Sequence, residues 1–417
     1  MKAVNNLLNK YAAVAGVNAV DHIRQLAAPL AGLRVLHINS TREGGGVAEI
    51  LHKLMPLKQA LGIDVSWLVI DGPPEYYQCT KGFHNGLQGQ HVMPSSVELR
   101  AYESANEEFV RQHGDQLREA AVVFVHDPQP APILSLVGQR KGKWVWRCHI
   151  DVSHPFHPVW RYLRRWVEGY DASIFSLAKY ARRLDHPQYI VAPSIDPLSE
   201  KNIELPAAEI AAVHNQFGLD PQRPLIVQIS RFDRFKDPVG VIEAYRLARR
   251  FVPLQLVLAG GGAADDPEGA AVLEQVKQAA ADDPDIHVLL LPSDAHRTIN
   301  ALQRAADLVL QKSLREGFGL TVAEAMWKHK PVIGGDVGGI RLQVINHYTG
   351  FLVRTPEGAA LRIRYLLNRP DKLASMGERA QRHVRENFLL TRHLREYLTL
   401  LLSLLHGNQD RIELWNT

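Results

Sequence analysis

The amino-acid sequence predicts an α/β protein made of two doubly wound domains, each a parallel sheet covered by helices. Three observations carry this. Short β-rich runs alternate with longer helical stretches along most of the chain, the pattern of strands joined by crossover helices. In the second half the strand candidates are nearly uninterrupted apolar runs, as burial on both faces requires. A chain of 417 residues also exceeds what one hydrophobic core commonly supports, so two domains of roughly 200 residues each are expected.

Taken in order, the first-half strand candidates are 34–39, 65–70, 122–126, 143–148, 172–175 and 189–192, with helical periodicity clearest over 47–61 and 97–114. The second half repeats the scheme at 225–229, 254–259, 286–291, 308–310 and 331–333, with amphipathic segments at 238–251 and 268–281 between strands. The proline-rich polar run PSIDPLSEKNIELP marks a boundary between Ala192 and Pro224. From about Ala360 the pattern is helical to the end. The expected division is residues 1–200, residues 201–390, and a C-terminal helix over 391–417 packing back on the first domain. Ligands of doubly wound sheets sit at the carboxyl ends of the strands, so functional residues are sought there.

Composition narrows the function classes. With 48 basic and 44 acidic residues the net charge is +4, too small an excess to argue for nucleic acid as a partner. Two isolated cysteines, Cys79 and Cys148, make no disulfide framework and suit a reducing compartment. The N-terminal run MKAVNNLLNKYAAVAG lacks the apolar core of a signal peptide, and the apolar run 398–405 is far short of the roughly 20 residues a membrane helix needs. A cytoplasmic protein without membrane attachment is expected.

Four motifs can carry chemistry. NSTREGGG (39–46) joins the first strand to a helix; its glycines allow close backbone approach to a phosphate or sugar, and a flexible turn is the plainer alternative. SRFDRFKD (230–237) follows the first strand of the second half, where Arg231 and Lys236 can offset the charge of a departing diphosphate. EGFGLTVAE (316–324) sets Glu316 before a glycine-bearing turn and Glu324 at a helix start, with backbone N–H groups near Leu320 and Thr321 open to a phosphate. Thr321 to Glu324 also fits a capping box, which would reduce Glu324 to a helix-start residue. HDPQ (126–129) and RCHID (147–151) place polar residues at the ends of apolar strands, suited to sugar hydroxyls. Cys148, His149, Asp151, His154 and His157 raise a metal site as an alternative, disfavoured because neighbours along a strand point to opposite faces. The glycine cluster 260–262 reads as a tight strand-to-helix turn, and 334–339, also after a strand, either lines the cleft or forms a simple turn.

EGFGLTVAE together with Arg231 and Lys236 resembles glycosyltransferase family four, retaining enzymes of GT-B architecture. The stretches NSTREGGGVAEILHKLMPL, FHNGLQG, VFVHDPQP, WRCHID, PSIDPLSEKN and LREGFGLTVAEAMWKHKPVIGG resemble, more narrowly, the trehalose glycosyltransferring synthases. The resemblance implies two Rossmann-like domains facing a deep interdomain cleft. It also implies transfer of glucose from a nucleoside-diphosphate glucose to glucose, forming trehalose reversibly with the α configuration retained. By motif, Arg231 and Lys236 would bind the donor diphosphate, Glu316 the donor glucose and Glu324 the ribose hydroxyls. His149 would support the donor sugar near the reacting carbon. Gly45, Gly46, Gly317, Phe318, Gly319, Leu320 and Thr321 would complete the donor side, and Asn39, Glu43, Asp127 and Asp151 the acceptor side. The run LLLPSDAHRTIN (289–300) departs from the family's pattern where the base pocket would fall, so ADP-glucose and UDP-glucose both stay open.

No catalytic metal or cofactor is implied, magnesium being only a companion of the nucleoside diphosphate; a homodimer is carried as an expectation. No carboxylate is placed as a covalent nucleophile, unlike the paired acids of retaining glycosidases. Front-face substitution is implied instead, the leaving phosphate oxygen accepting the acceptor's proton. The alternatives are a retaining trehalose phosphorylase, a related GT-B enzyme with another sugar acceptor, a nucleotide-sugar 2-epimerase, and a nucleotide-sugar sensor without turnover.

Overall fold

The computed structural model describes residues 2–43, 46–261, 267–281 and 283–406. The chain divides into two compact units, Met1–Pro193 with Leu390–Thr417, and Ser194–Leu389.

The first unit opens with helices α1 (Lys2–Ala15) and α2 (Val17–Ala27), then alternates β1 (Arg34–Asn39), α3 (Gly46–Ala60), β2 (Asp64–Val69), α4 (Pro74–Leu87), α5 (Ser96–Glu119), β3 (Val122–His126), α6 (Ile133–Val137), β4 (Lys143–Cys148), α7 (His157–Val167), β5 (Ala172–Phe175) and β6 (Gln188–Ile190). Its six strands run parallel in the order β2-β1-β3-β4-β5-β6. The direction of strand addition reverses between β1 and β3, so a crevice is expected outside the carboxyl ends of those two strands. One face of the sheet packs on a core rich in large aromatics, among them Tyr76, Phe83, Tyr102, Trp144, Trp146 and Phe175.

The second unit comprises α8 (Ala207–Phe217), β7 (Leu225–Ile229), α9 (Pro238–Arg249), β8 (Gln255–Gly260), α10 (Pro267–Ala280), β9 (Ile286–Leu290), α11 (His296–Ala305), β10 (Leu308–Gln311), α12 (Leu320–Trp327), β11 (Val332–Gly335), α13 (Ile340–Gln343), β12 (Gly350–Val353), α14 (Pro356–Leu367) and α15 (Pro370–Asn387). Its strands are also all parallel, in the order β12-β11-β10-β7-β8-β9. The reversal falls between β7 and β10. Alternation along the strands divides the core: Ile226, Leu256 and Leu258 join one apolar cluster, and Val227, Ile229 and Val257 the other. Both faces are therefore dry, which accounts for the unbroken apolar runs in these strands.

Helix α16 (Leu390–His406) belongs to the first unit, where it packs on α2. Leu390, Leu394, Tyr397, Leu398 and Leu401 form its buried stripe, spaced as a helix requires.

Three differences from the sequence reading have physical causes. Gly334 and Gly335 lie inside β11 rather than in a turn, because a Cβ at Gly335 would stand 2.1 Å from the Ser313 carbonyl oxygen. Gly260 likewise ends β8. The capping box at Thr321 does not form: α12 starts after Gly319, whose φ of 83° is left-handed, and no side chain caps it. A true capping box occurs at α5, where Ser95 Oγ accepts from Glu98 N and the Glu98 carboxylate accepts from Ser95 N.

Leu401 is fully buried, so Leu401→Ala is expected to cost the first unit about 2–5 kcal/mol. Urea unfolding followed by tryptophan fluorescence reads this; an unshifted transition would show that α16 is not part of that unit's core.

Candidate functional site

At the switch point of the second sheet, charged side chains from the loops leaving β7 and β10 pair with one another. After β7, Asp233 caps a single 3-10 turn over 234–236 by accepting from Phe235 N at 2.7 Å. The turn ends at Asp237, which is left-handed at φ 52°. This turn directs Lys236 inward, and Gln228 on β7 donates to its carbonyl at 2.8 Å. Lys236 Nζ meets Glu316 Oε2 at 2.6 Å, with side-chain exposures of 19% and 9%. Ser313 Oγ donates to the same carboxylate oxygen at 3.2 Å. A second cation from β10, the buried Lys312, pairs with Asp237. Two ion pairs thus bridge the adjacent strand ends. Arg231 differs: its side chain is 68% exposed and stands 3.9 Å from Asp233.

The turn after Glu316 is held from below. Phe318 is buried and packs near Phe388, while Gln343 Nε2 donates to the Phe318 carbonyl at 2.5 Å. Gly317 and Gly319 are half-buried, and a Cβ on Gly319 would come within 3.0 Å of Glu316 Cγ. Leu320 and Thr321 open α12 half-buried, so the first N–H groups of the helix lie at the switch point. Glu324 is buried one turn on. The buried Lys328 donates to the Glu324 carbonyl, Asn202 Oδ1 and Gln303 Oε1 at 3.0, 3.0 and 2.9 Å. Burial lowers the ammonium pKa of Lys328.

In the first unit, Asn39 ends β1 buried; its Oδ1 accepts from Trp67 Nε1 at 2.7 Å and its Nδ2 donates to the Thr41 carbonyl at 2.7 Å. Both ends of the amide shape the loop. Glu43 is exposed, as is Gly46 at the first position of α3. Gly45 and its neighbour Gly44 lie outside the described residues. At the end of β3, Asp127 is left-handed at φ 63°, a conformation Asp tolerates better than most residues. There its Oδ1 accepts from His149 N at 2.7 Å, tying the ends of β3 and β4 together. Burial raises the Asp127 carboxyl to about 7, against the opposing effects of that hydrogen bond and of Arg147. Asp151, half-buried, turns back to accept from Ser153 N at 2.9 Å.

His149 Nε2 lies 3.0 Å from His126 Nδ1, and the His126 ring continues inward to His37 on β1 and Lys58 on α3. Sequence reasoning passed over His37, Lys58, Lys312 and Lys328. A lone polar residue within an apolar run was the available signal for His37. Among the described residues no group of three or more His, Cys, Asp or Glu side chains is arranged to hold a metal ion, and no helix is long and apolar enough to cross a membrane.

Residues 209–383 match the family model Glycosyl transferases group 1. The structure also resembles that of a UDP-forming α,α-trehalose-phosphate synthase from Burkholderia xenovorans, with a TM-score of 0.72 at 16% identity over 89% of this chain and 99% of that one. The fold is that of the GT-B glycosyltransferases. Residues 37–182 match the model Trehalose synthase, N-terminal domain. Over 402 residues the chain is 45% identical to a trehalose synthase of Pyrococcus horikoshii, covering 95% of this chain and 96% of that protein. It is 42% identical to one of Rubrobacter xylanophilus, with coverages of 92% and 93%. The chain belongs to the trehalose synthase family.

The Asp127 carboxyl keeps its proton to about 7 in the folded chain against 3.8 ordinarily. The folded state therefore binds more protons in that window, and stability falls as pH rises through it. Asp127→Asn keeps an acceptor for His149 N and abolishes this slope. Melting temperatures across the window should show the variant gaining on the parent as pH rises; parallel curves would contradict the assignment.

Proposed function

We propose that the chain transfers glucose between a nucleoside-diphosphate glucose and free glucose, forming trehalose reversibly with retention at the anomeric carbon. The observation that carries this reading is the Lys236–Glu316 pair at the switch point of the second sheet, beside the first N–H groups of α12. Family membership supports it independently.

In this reading Lys236 exchanges its carboxylate partner for the donor diphosphate, and the exposed Arg231 folds onto the same phosphates. The N–H groups of Leu320 and Thr321 add donors aimed along the helix axis. Released from Lys236, Glu316 accepts from hydroxyls of the donor glucose, and Glu324 from those of the ribose. Gly317, Phe318 and Gly319 hold the turn between the two carboxylates. His149 supports the donor sugar, while Asn39, Glu43, Asp127 and Asp151, with Gly45 and Gly46, shape the acceptor side.

Chemistry then needs no protein nucleophile. The bond from the anomeric carbon to the phosphate oxygen breaks as the acceptor hydroxyl approaches the same face, and the departing phosphate oxygen takes the hydroxyl proton. The protein contributes orientation and stabilisation of the charge that builds on the diphosphate. No metal is needed for those steps; magnesium would accompany the nucleotide.

Trehalose incubated separately with ADP, UDP and inorganic phosphate tests the reading. Nucleoside-diphosphate glucose should form with ADP or UDP, whereas glucose 1-phosphate formed only with phosphate would make the chain a phosphorylase instead. Lys236→Ala and Arg231→Ala should each lower kcat about 10²–10³-fold with the fold intact by circular dichroism. Near-parental turnover in either variant removes that residue from the mechanism.

A further inference from the structure

The first unit contains an unbroken line of four ionisable side chains running from beneath its sheet to His149. Lys58 Nζ lies 2.8 Å from His37 Nε2, His37 Nδ1 lies 2.9 Å from His126 Nε2, and His126 Nδ1 lies 3.0 Å from His149 Nε2. The line crosses the carboxyl ends of β1, β3 and β4 in spatial order, since β3 sits between the other two. Each ring is clamped: His37 stacks on Phe124 and His126, and His126 on His149. Lys58, His37 and His126 are all at or below 2% exposure, so water does not stand in for any link.

The chemistry at the two ends gives the line a direction. Lys58 Nζ lies over the rings of Phe124 and Tyr397, at 5.1 and 4.9 Å from their centroids, surroundings that favour a cation. An ammonium only donates, so His37 accepts at Nε2 and must carry its proton at Nδ1. The same logic passes to His126 and then to His149. None of the rings takes a second proton, because burial and the nearby charges of Lys58 and Arg147 depress all three, His126 to about 3. The other titratable groups beside the line are Asp127 on the β3 end and His393 and Tyr397 on α16, behind which Arg392 and Glu396 pair with each other. Burial draws Lys58 itself down to about 7, so the polarity is imposed most strongly below neutrality.

We propose that Lys58, His37 and His126 are positioning residues that act through this hydrogen-bonded line, fixing His149 as the Nδ1–H tautomer so that it offers the sugar a donor rather than an acceptor. The consequence for transfer rests on the reading of His149 as a sugar-contacting residue. A neutral imidazole donor suits a sugar hydroxyl or ring oxygen, while an imidazolium would oppose the positive charge developing at the reacting carbon. Holding one tautomer in advance removes the cost of choosing it during the reaction, the role the buried aspartate plays for the histidine of serine proteases.

Long-range proton–nitrogen correlation on the whole chain labelled with ¹⁵N-histidine tests the tautomer directly, with His149→Gln used only to assign the resonance. Below neutrality His149 should show a pyrrole-like Nδ1 and a pyridine-like Nε2; a proton on Nε2, or on both nitrogens, overturns the proposal. The kinetic arm compares His126→Leu, which cuts the line, with His126→Gln, whose amide can accept from His37 and donate to His149. The leucine variant should lose roughly 10- to 100-fold in kcat with little change in KM, and the glutamine variant should recover most of it. Equal kcat in the two variants overturns the positioning role. If the parent chain transfers no glucose at all, the transfer reading fails while the nitrogen spectrum still decides the tautomer.

Discussion

A parallel sheet buried on both faces leaves polar chemistry few places to go, and in the second unit the constraint is met by pairing charges where strand addition reverses. Lys236 from the β7 loop and Glu316 from the β10 loop are each largely removed from water, and neither is tolerable there alone. Their pairing determines much of the surroundings. The 3-10 turn capped by Asp233 aims the lysine, the left-handed Gly319 lets the chain fold close over the glutamate, and Gln343 holds the turn by its carbonyls. Lys312 and Asp237 repeat the device one step away. Such a pair is a weak source of stability but a ready exchange site, since an anionic ligand can replace the carboxylate without leaving the lysine uncompensated.

The first unit solves the same problem differently. Its strand ends carry imidazoles and one carboxyl that is easily protonated; burial first, and then the nearby positive charge of Arg147, lowers the pKa of His126 and His149. Neutral donors and acceptors recognise sugar hydroxyls without the desolvation penalty of full charges. The strand ends of the two units thus differ in chemistry: paired charges in the second, hydrogen-bonded imidazoles in the first.

Much of the fold was legible because buried parallel strands write themselves as apolar runs. β1, β3, β4, β5 and β7 have the expected bounds. β12 was passed over because it is four residues long and opens on Gly350, and β11 was cut short because its glycines, demanded by the close Ser313 backbone, look like turn residues. The paired helices α1 and α2 escaped notice because their polar faces dilute the apolar stripe. At the site, residue types were legible and partnerships were not. Lys236 and Glu316 are 80 residues apart and His37 and His126 are 89 apart, separations across which only the folded topology decides contact. Thr321 and Glu324 show the reverse failure, a local pattern overridden by the left-handed glycine before it.

The most direct test of the account is a crystal structure of the chain with ADP or UDP bound. Phosphate oxygens are expected within hydrogen-bond distance of Lys236 Nζ and of the first N–H groups of α12, with the Glu316 carboxylate no longer on the lysine. A nucleotide seated elsewhere, with the Lys236–Glu316 pair intact, would contradict it.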